Sequence, residues 1–179
     1  MPRKVVVVAY DPAWPALAAA ESARLRASLD DNVLAIHHFG STAVPGLCAK
    51  PVLDLLPVVA DLDRVDCLND RLIALGYTPR GEYGLPGRRY FPRILADAEE
   101  THTHHVHFYP AEHPEVHRHL AVRDFLRAHP AEAEAYGRLK TSLAARFPWD
   151  IDGYVDGKDA YMKDLERRAM VWAAAGGRP

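Results

Sequence analysis

Apolar residues recur along the chain either at every second position, which predicts strands, or three and four positions apart, which predicts helices. Both kinds of element are predicted as far as Tyr109, and helices alone after it. β-Branched runs with little charge predict strands over Lys4–Ala9, Val33–Phe39, Pro51–Ala60, Arg89–Leu95 and Thr103–Tyr109. Apolar residues spaced three and four apart predict helices over Ala13–Leu29, Asp61–Leu75, residues 114–128, Ala131–Arg146 and Tyr154–Ala175. Strict strand–helix alternation is absent, so we expect the α+β class, with a mixed β-sheet flanked by helices and a C-terminal helical segment.

The 179 residues suit one domain, with a sheet core over about 1–110 and a helical part over about 113–175. A net charge of −2 gives no strong nucleic-acid signal, and no apolar run reaches the roughly 18 residues that a membrane helix needs. The two cysteines have no zinc-site spacing, and no signal peptide is recognisable, so we expect a cytoplasmic protein. A homodimer is left open.

The stretch from Val33 to Ala60 contains a turn between two predicted strands, Gly40-Ser41-Thr42. Glycine permits a positive φ and a close approach of a ligand. Ser41 and Thr42 are good helix N-cap residues, and backbone N–H groups at such a turn attract anions. We therefore expect Gly40, Ser41 and Thr42 to bind phosphate. The turn fits neither a nucleophile elbow, G-x-S-x-G, nor a Walker A motif.

Asp54 lies inside the second of these strands, among Leu and Val residues. A lone carboxylate in an apolar strand is costly unless it is paired or bound to a cation. We expect Asp54 to hold a divalent metal that bridges to phosphate, with Lys50 adding a positive charge for the phosphate. The alternative is a structural pair between Asp54 and a buried arginine.

Histidines crowd the predicted strand 103–109, where His105 and His107 share one face because strand side chains alternate. Together with Asp54 they predict an Asp-His-His metal site, with Asp54 and His107 as catalytic candidates. The alternative is a pair of hydrogen-bonded surface histidines. His104 falls on the opposite face, and His102 is interpreted as an exposed or capping residue at the strand edge.

Further cations are candidates for binding phosphate. Arg88 and Arg89 end a glycine-rich loop and predict a basic clamp beside the anion site. Arg123, Lys140 and Lys158 lie beside apolar positions of the three C-terminal helices, where each could reach inward. Taken singly, each is also typical of a surface side chain whose aliphatic stem covers apolar neighbours.

Several segments closely resemble the GrpB family, also called UPF0157, over nearly the whole chain. The core of the resemblance is HFGSTAVPGLCAKPVLDLLPVV, and the other segments are YDPAWP, GEYGLPGRRYF, THHVHFY, HLAVRDFLRAHP and YGRLK, with Tyr154 and Lys158 near the end. The resemblance implies a nucleotidyltransferase-like fold, in which Gly40, Ser41 and Asp54 match the active-site pattern. Leu56 stands where such an enzyme carries its second metal-binding acid, which puts two-metal chemistry in doubt.

Three functions follow from this resemblance. The first is a nucleotidyltransferase-like protein that binds a nucleotide or phosphorylated small molecule with Mg²⁺ or Mn²⁺, or with Zn²⁺, and transfers a nucleotidyl group. The second is an inactive nucleotide-binding, sensor or scaffold module. The third is a metal-dependent phosphohydrolase built on His105 and His107. A GrpB-like domain fused to dephospho-CoA kinase in some bacteria points towards nucleotide or coenzyme A metabolism.

Overall fold

A computed structural model describes residues 4–97 and 100–178 of the chain. Its four strands are β1 (Val33–Phe39), β2 (Leu53–Val59), β3 (Arg89–Ile94) and β4 (His102–Pro110). Its α-helices are α1 (Trp14–Leu29), α2 (Leu62–Cys67), α3 (Asn69–Ala74), α4 (Pro114–Ala128), α5 (Pro130–Arg146) and α6 (Ile151–Ala174). The predicted α+β class, with helices alone after the last strand, is confirmed.

The strands form one mixed sheet in the order β1-β2-β4-β3, so β2 and β4 are its two central strands. β2 runs antiparallel to β1 and parallel to β4, and β3 runs antiparallel to β4. In this register Asp54 lies beside Phe39 on one side and His105 on the other. Because side chains alternate across a sheet, Asp54, His105 and His107 share one face.

The two faces of the sheet carry different layers. Helices α1 to α3 cover one face and bury an apolar core whose sheet residues include Leu55, Val106 and Phe108. On the other face, α4, α5 and α6 pack together around Phe125, Tyr136 and Leu165. The face that carries Asp54 is therefore the one that the C-terminal helices approach.

Two predicted elements differ from the structure. Lys4–Ala9 makes no regular strand, because its hydrogen bonds go to separate partners: Val5 to the Pro148 carbonyl, and Val8 to Ala49. The helix predicted over Asp61–Leu75 is divided at Leu68 into α2 and α3. None of the helices in the described ranges has both the length and the apolar character that crossing a membrane requires.

Candidate functional site

The turn after β1 presses directly against the carboxylate of Asp54. Gly40 has a φ of 70° and a ψ of −168°, a backbone conformation open essentially to glycine alone. A Cβ atom at this position would lie 2.5 Å from Asp54 Oδ2. Ser41 then begins a short 3₁₀ turn, Ser41–Ala43. The predicted positive φ at Gly40 is confirmed, and its purpose is to let the turn approach the acid.

Asp54 is ionised and holds His105. The Asp54 side chain is 26% exposed, and its Oδ1 lies 3.3 Å from His105 Nδ1. Burial raises the pKa of Asp54, but the hydrogen bond from His105 and the nearby Lys50 charge bring that pKa below its usual value. The carboxylate can only accept, so His105 Nδ1 carries the proton and donates it.

The other nitrogen of His105 meets a residue that the sequence did not assign to the site. His105 Nε2 lies 2.9 Å from Nδ1 of His102, and the two rings meet edge to face. The interpretation of His102 as an exposed or capping residue misses this contact. Since His102 and His105 lie three apart, alternation along a regular strand gives no signal for it.

His107 is half-buried and neutral, and its Nδ1 takes part in a hydrogen bond. Burial lowers the pKa of His107 to about 3. Arg88 Nη1 lies 3.4 Å from His107 Nδ1. A guanidinium only donates, so Nδ1 accepts and the ring proton lies on Nε2.

The three predicted ligands come together in a way that fits a metal ion. One ligand atom from each of Asp54, His105 and His107 lies within 4.8 Å of the others. With a metal on His105 Nδ1, His105 Nε2–H would donate to His102, which is the outer hydrogen bond that metal-bound histidines make. His107 fits only when Arg88 turns away from its Nδ1. A metal-bound imidazole carries either the metal or the ring proton on that nitrogen, and the Arg88 guanidinium can accept neither. One carboxylate with two imidazoles suits Zn²⁺ or Mn²⁺ better than the oxygen-seeking Mg²⁺.

Three lysines converge beside Asp54 and Ser41 in one cleft with a volume of about 270 Å³. We call it the lysine cleft, and its charged residues are Asp54, Lys50, Lys140 and Lys158. Lys50 precedes β2, whereas Lys140 and Lys158 reach in from α5 and α6. Within the described ranges, Asp54 is the sole carboxylate that lines the cleft. The cleft is therefore strongly basic.

Lys140 is the most buried of these cations, with 2% of its surface exposed. Its Nζ donates to Ser41 Oγ at 2.9 Å and to the Cys48 carbonyl oxygen. Burial lowers the pKa of Lys140 to about 7, and the Lys158 and Lys50 charges act in the same direction. The interpretation of Lys140 as a surface side chain is wrong. Its spacing from Tyr136 and Leu143, four and three residues away on the apolar face of α5, is the signal that could have placed it inside.

Two tyrosines form aromatic walls for these ammonium groups. Nζ of Lys158 and Nζ of Lys50 lie 5.3 and 5.6 Å from the centre of the Tyr154 ring, which both can approach as cation–π partners. Lys140 Nζ lies 4.5 Å from the centre of the Tyr136 ring. Burial lowers the pKa of Lys158 as well. The predicted phosphate residues Lys50 and Lys158 are thus in the cleft.

The two loop arginines are not brought into the lysine cleft. Arg88 is buried, and its guanidinium donates hydrogen bonds to the Glu82 and Tyr83 carbonyl oxygens and to His107. Arg89 lies opposite Phe108, on the face away from Asp54, and makes a bidentate ion pair with Asp66. Adjacent strand residues point to opposite faces, so a clamp made of both arginines is excluded by this geometry.

Two further positions limit the chemistry. Thr42 lines the cleft, but its hydroxyl is engaged at 2.9 Å with His38 Nε2. Leu56 shares the face of Asp54 and is fully buried with Phe39 and Tyr109. The place where a second metal-binding acid would stand is therefore filled by packed apolar side chains.

Comparison with known proteins gives a consistent result. A family model described as GrpB protein matches residues 4–168. The UPF0157 protein YqkA of Bacillus subtilis (strain 168) is 41% identical over 170 residues, which cover 95% of this chain and 48% of that protein. A dephospho-CoA kinase of Mycolicibacterium paratuberculosis is 33% identical over 195 residues, with 97% of this chain and 48% of that protein covered. This chain spans about half the length of both relatives.

A solved structure matches more completely. The crystal structure of conserved protein GrpB from Enterococcus faecalis aligns with a TM-score of 0.86 and 42% sequence identity. The alignment covers 92% of this chain and 96% of that one. This match confirms the predicted fold class, a mixed sheet flanked by helices with a helical C-terminal segment.

Proposed function

This chain belongs to the GrpB family, and we propose that its lysine cleft binds a nucleotide or another phosphorylated small molecule together with one divalent metal ion. The observation that carries the proposal is the convergence of three lysines on one carboxylate. Buried or half-buried ammonium groups are costly beside one another, and a polyphosphate offsets that cost through charge-assisted hydrogen bonds. The Ser41 hydroxyl adds a further donor at the floor of the cleft.

The perturbed lysines support an anionic ligand in particular. Burial disfavours the charged forms of Lys140 and Lys158, and Asp54 only partly opposes this. A bound phosphate favours the ammonium form of both residues, so ligand binding and protonation reinforce each other. The relative that is named a dephospho-CoA kinase is consistent with a phosphorylated ligand, and dephospho-coenzyme A belongs in the panel to be tested.

A metal ion at Asp54 and His105, with His107 joining when Arg88 is released, would supply a Lewis acid for phosphate oxygens. Asp54 would hold the ion from β2 and His105 would hold it from β4. His102 would accept a hydrogen bond from His105 Nε2–H. The chain's own lysines would bind and orient the phosphates. Tyr154 and Tyr136 place aromatic rings beside the ammonium groups along the cleft walls.

One observation favours a protein that binds a nucleotide but does not transfer a nucleotidyl group by two-metal chemistry. Leu56 occupies the second acid position and is packed rather than exposed. Two-metal transfer needs further carboxylates, and among the described residues that line the cleft Asp54 is the one acid. The second candidate function is therefore a nucleotide-binding module, and turnover of a bound nucleoside triphosphate separates the two functions.

Isothermal titration calorimetry tests the proposal with ATP, dephospho-coenzyme A and inorganic tripolyphosphate, each with and without Mn²⁺ or Zn²⁺. We expect Lys158→Met to weaken binding about tenfold or more, the loss of one charge-assisted contact. Lys163→Met is the matched control, because Lys163 lies on the same helix, is 73% exposed and pairs with Asp159. Asp54→Asn should remove the metal dependence of binding. No heat with any of these compounds, or equal affinities for both lysine variants, would contradict the proposal.

A further inference from the structure

The hydroxyl of Ser41 and the amine of Lys140 meet inside the lysine cleft, although 99 residues separate them along the chain. Ser41 Oγ lies 2.9 Å from Lys140 Nζ. Both residues line the cleft, where Ser41 opens the 3₁₀ turn directly after Gly40. No local motif reveals this pair, since the serine and the lysine lie in different elements.

The surroundings of Lys140 make its neutral form accessible. Its nitrogen donates to neutral oxygens, Ser41 Oγ and the Cys48 carbonyl, and no carboxylate of the described residues lies within ion-pair distance of it. The titratable groups that face it are Lys158, Lys50, Asp54, Cys48 and, from its own helix, Tyr136. Burial and the two lysines lower its pKa to about 7, while Asp54 and Cys48 oppose the shift.

The hydrogen-bonding capacity of a neutral Lys140 matches this geometry. An amine has two N–H donors and one lone pair. One donor serves the Cys48 carbonyl, and the lone pair can accept the Ser41 hydroxyl proton. Tyr136 interacts with the same serine side chain, and burial raises the pKa of this phenol, so Tyr136 stays protonated beside Ser41.

We propose that Ser41 and Lys140 form a nucleophile and base pair that attacks phosphorus in compounds with a good leaving group. The Ser41 Oγ–P bond forms, and the bond from phosphorus to the leaving group breaks. The leaving group takes that electron pair, and the Ser41 proton passes to Lys140 Nζ, which can return it to the leaving group. Lys50 and Lys158 stabilise negative charge on the phosphoryl oxygens. Serine–lysine pairs are a recognised variant of the serine nucleophile.

Diisopropyl fluorophosphate is a suitable probe, because its reaction with serine releases fluoride and leaves an adduct of fixed mass. Intact-mass and peptide mass spectrometry would follow the full-length protein. We expect one adduct, on Ser41, absent in Ser41→Ala and formed at an unchanged rate in Ser142→Ala, whose serine is exposed on α5. Lys140→Arg keeps the positive charge but cannot accept a proton, so labelling should slow ~100-fold, the lower range for a lost general base.

The pH profile gives a second readout. The wild-type labelling rate should rise with pH and level off above the pKa of Lys140, about 7. Absence of an adduct on Ser41, an unchanged rate in Lys140→Arg, or a rate that does not depend on pH between about 6 and 8 would overturn the pairing. Should Lys140→Arg fail to fold, as judged by circular dichroism, the wild-type profile decides alone. Tripolyphosphate binding without labelling would leave the proposed function intact and refute only this inference.

Discussion

Gly40→Ala should destabilise the protein specifically through Asp54. The backbone at Gly40, with φ 70° and ψ −168°, lies in a region that is essentially restricted to glycine. A Cβ atom there would also stand 2.5 Å from Asp54 Oδ2 and 3.2 Å from its Cγ. Such a contact cannot persist, so the carboxylate must move away from the turn and from His105.

Two costs add up in this variant. Backbone strain at such a position costs about 1–3 kcal/mol. Displacing Asp54 weakens its hydrogen bond with His105, and a bond to a charged group contributes about 1.5–3 kcal/mol. We therefore expect the free energy of unfolding to fall by about 2.5–6 kcal/mol in Gly40→Ala, from these two terms together.

Urea unfolding of a double-mutant cycle separates the two costs. The cycle comprises wild type, Gly40→Ala, Asp54→Ala and the double variant. In the Asp54→Ala background the clashing oxygen and Cγ are gone, so Gly40→Ala should cost about 2 kcal/mol less, leaving mainly strain. Gly46→Ala is the control, because Gly46 also has a positive φ, 78°, yet nothing lies within 4 Å of a Cβ there.

The coupling energy decides the outcome. A value within about 0.5 kcal/mol of zero would mean that the two positions act independently, and the close approach of turn and carboxylate would be refuted. Equal losses of stability in Gly40→Ala and Gly46→Ala would also refute it. A coupling of about 2 kcal/mol would establish that Gly40 lets the turn after β1 lie against the Asp54 carboxylate.

Three further predictions concern the same face of the sheet. Leu56→Asp should lower the free energy of unfolding by about 3 kcal/mol or more, because it buries a charge among Phe39 and Tyr109, whereas Leu56→Met should cost less than about 1.5 kcal/mol by urea unfolding. Arg88→Met should raise the affinity for Zn²⁺ in calorimetry by freeing His107 Nδ1, and Arg89→Met, which removes the ion pair with Asp66 on the other face of the sheet, should not. Tripolyphosphate affinity should fall by up to about tenfold per pH unit above pH 7, as Lys140 loses its charge in the free protein, and Lys140→Arg should abolish that dependence.

The sequence predicts the sheet well because its strong patterns are local. β1 has the predicted bounds, Val33–Phe39, and β4 extends the predicted strand by one residue at each end. Period-two alternation also places His105 and His107 on one face correctly. The Lys4–Ala9 run has the same β-branched composition, but within the described residues it pairs through a single bridge, Val8 with Ala49, and composition cannot reveal that a neighbouring strand is missing there.

The site is predicted most directly in the part that lies on consecutive elements. Gly40, Ser41 and Asp54 fall within 15 positions of one another, so one stretch of sequence shows them together. Lys140 meets Ser41 only after α5 packs against the turn, and nothing local reveals that contact. Arg89 shows the opposite failure: its charge predicts a phosphate clamp, but strand alternation and Asp66 direct it to the other face.

The division of charges in the lysine cleft has a consequence for how the protein holds together. The sheet supplies the acid, while α5 and α6 supply two of the three cations, which repel each other across the cleft. A polyanion bound between these cations would relieve their repulsion and hold α5 and α6 more firmly against the sheet. The ligand would act as a structural bridge between halves of the fold, and amide hydrogen exchange in α5 and α6 should slow more than in the central strands when tripolyphosphate is added.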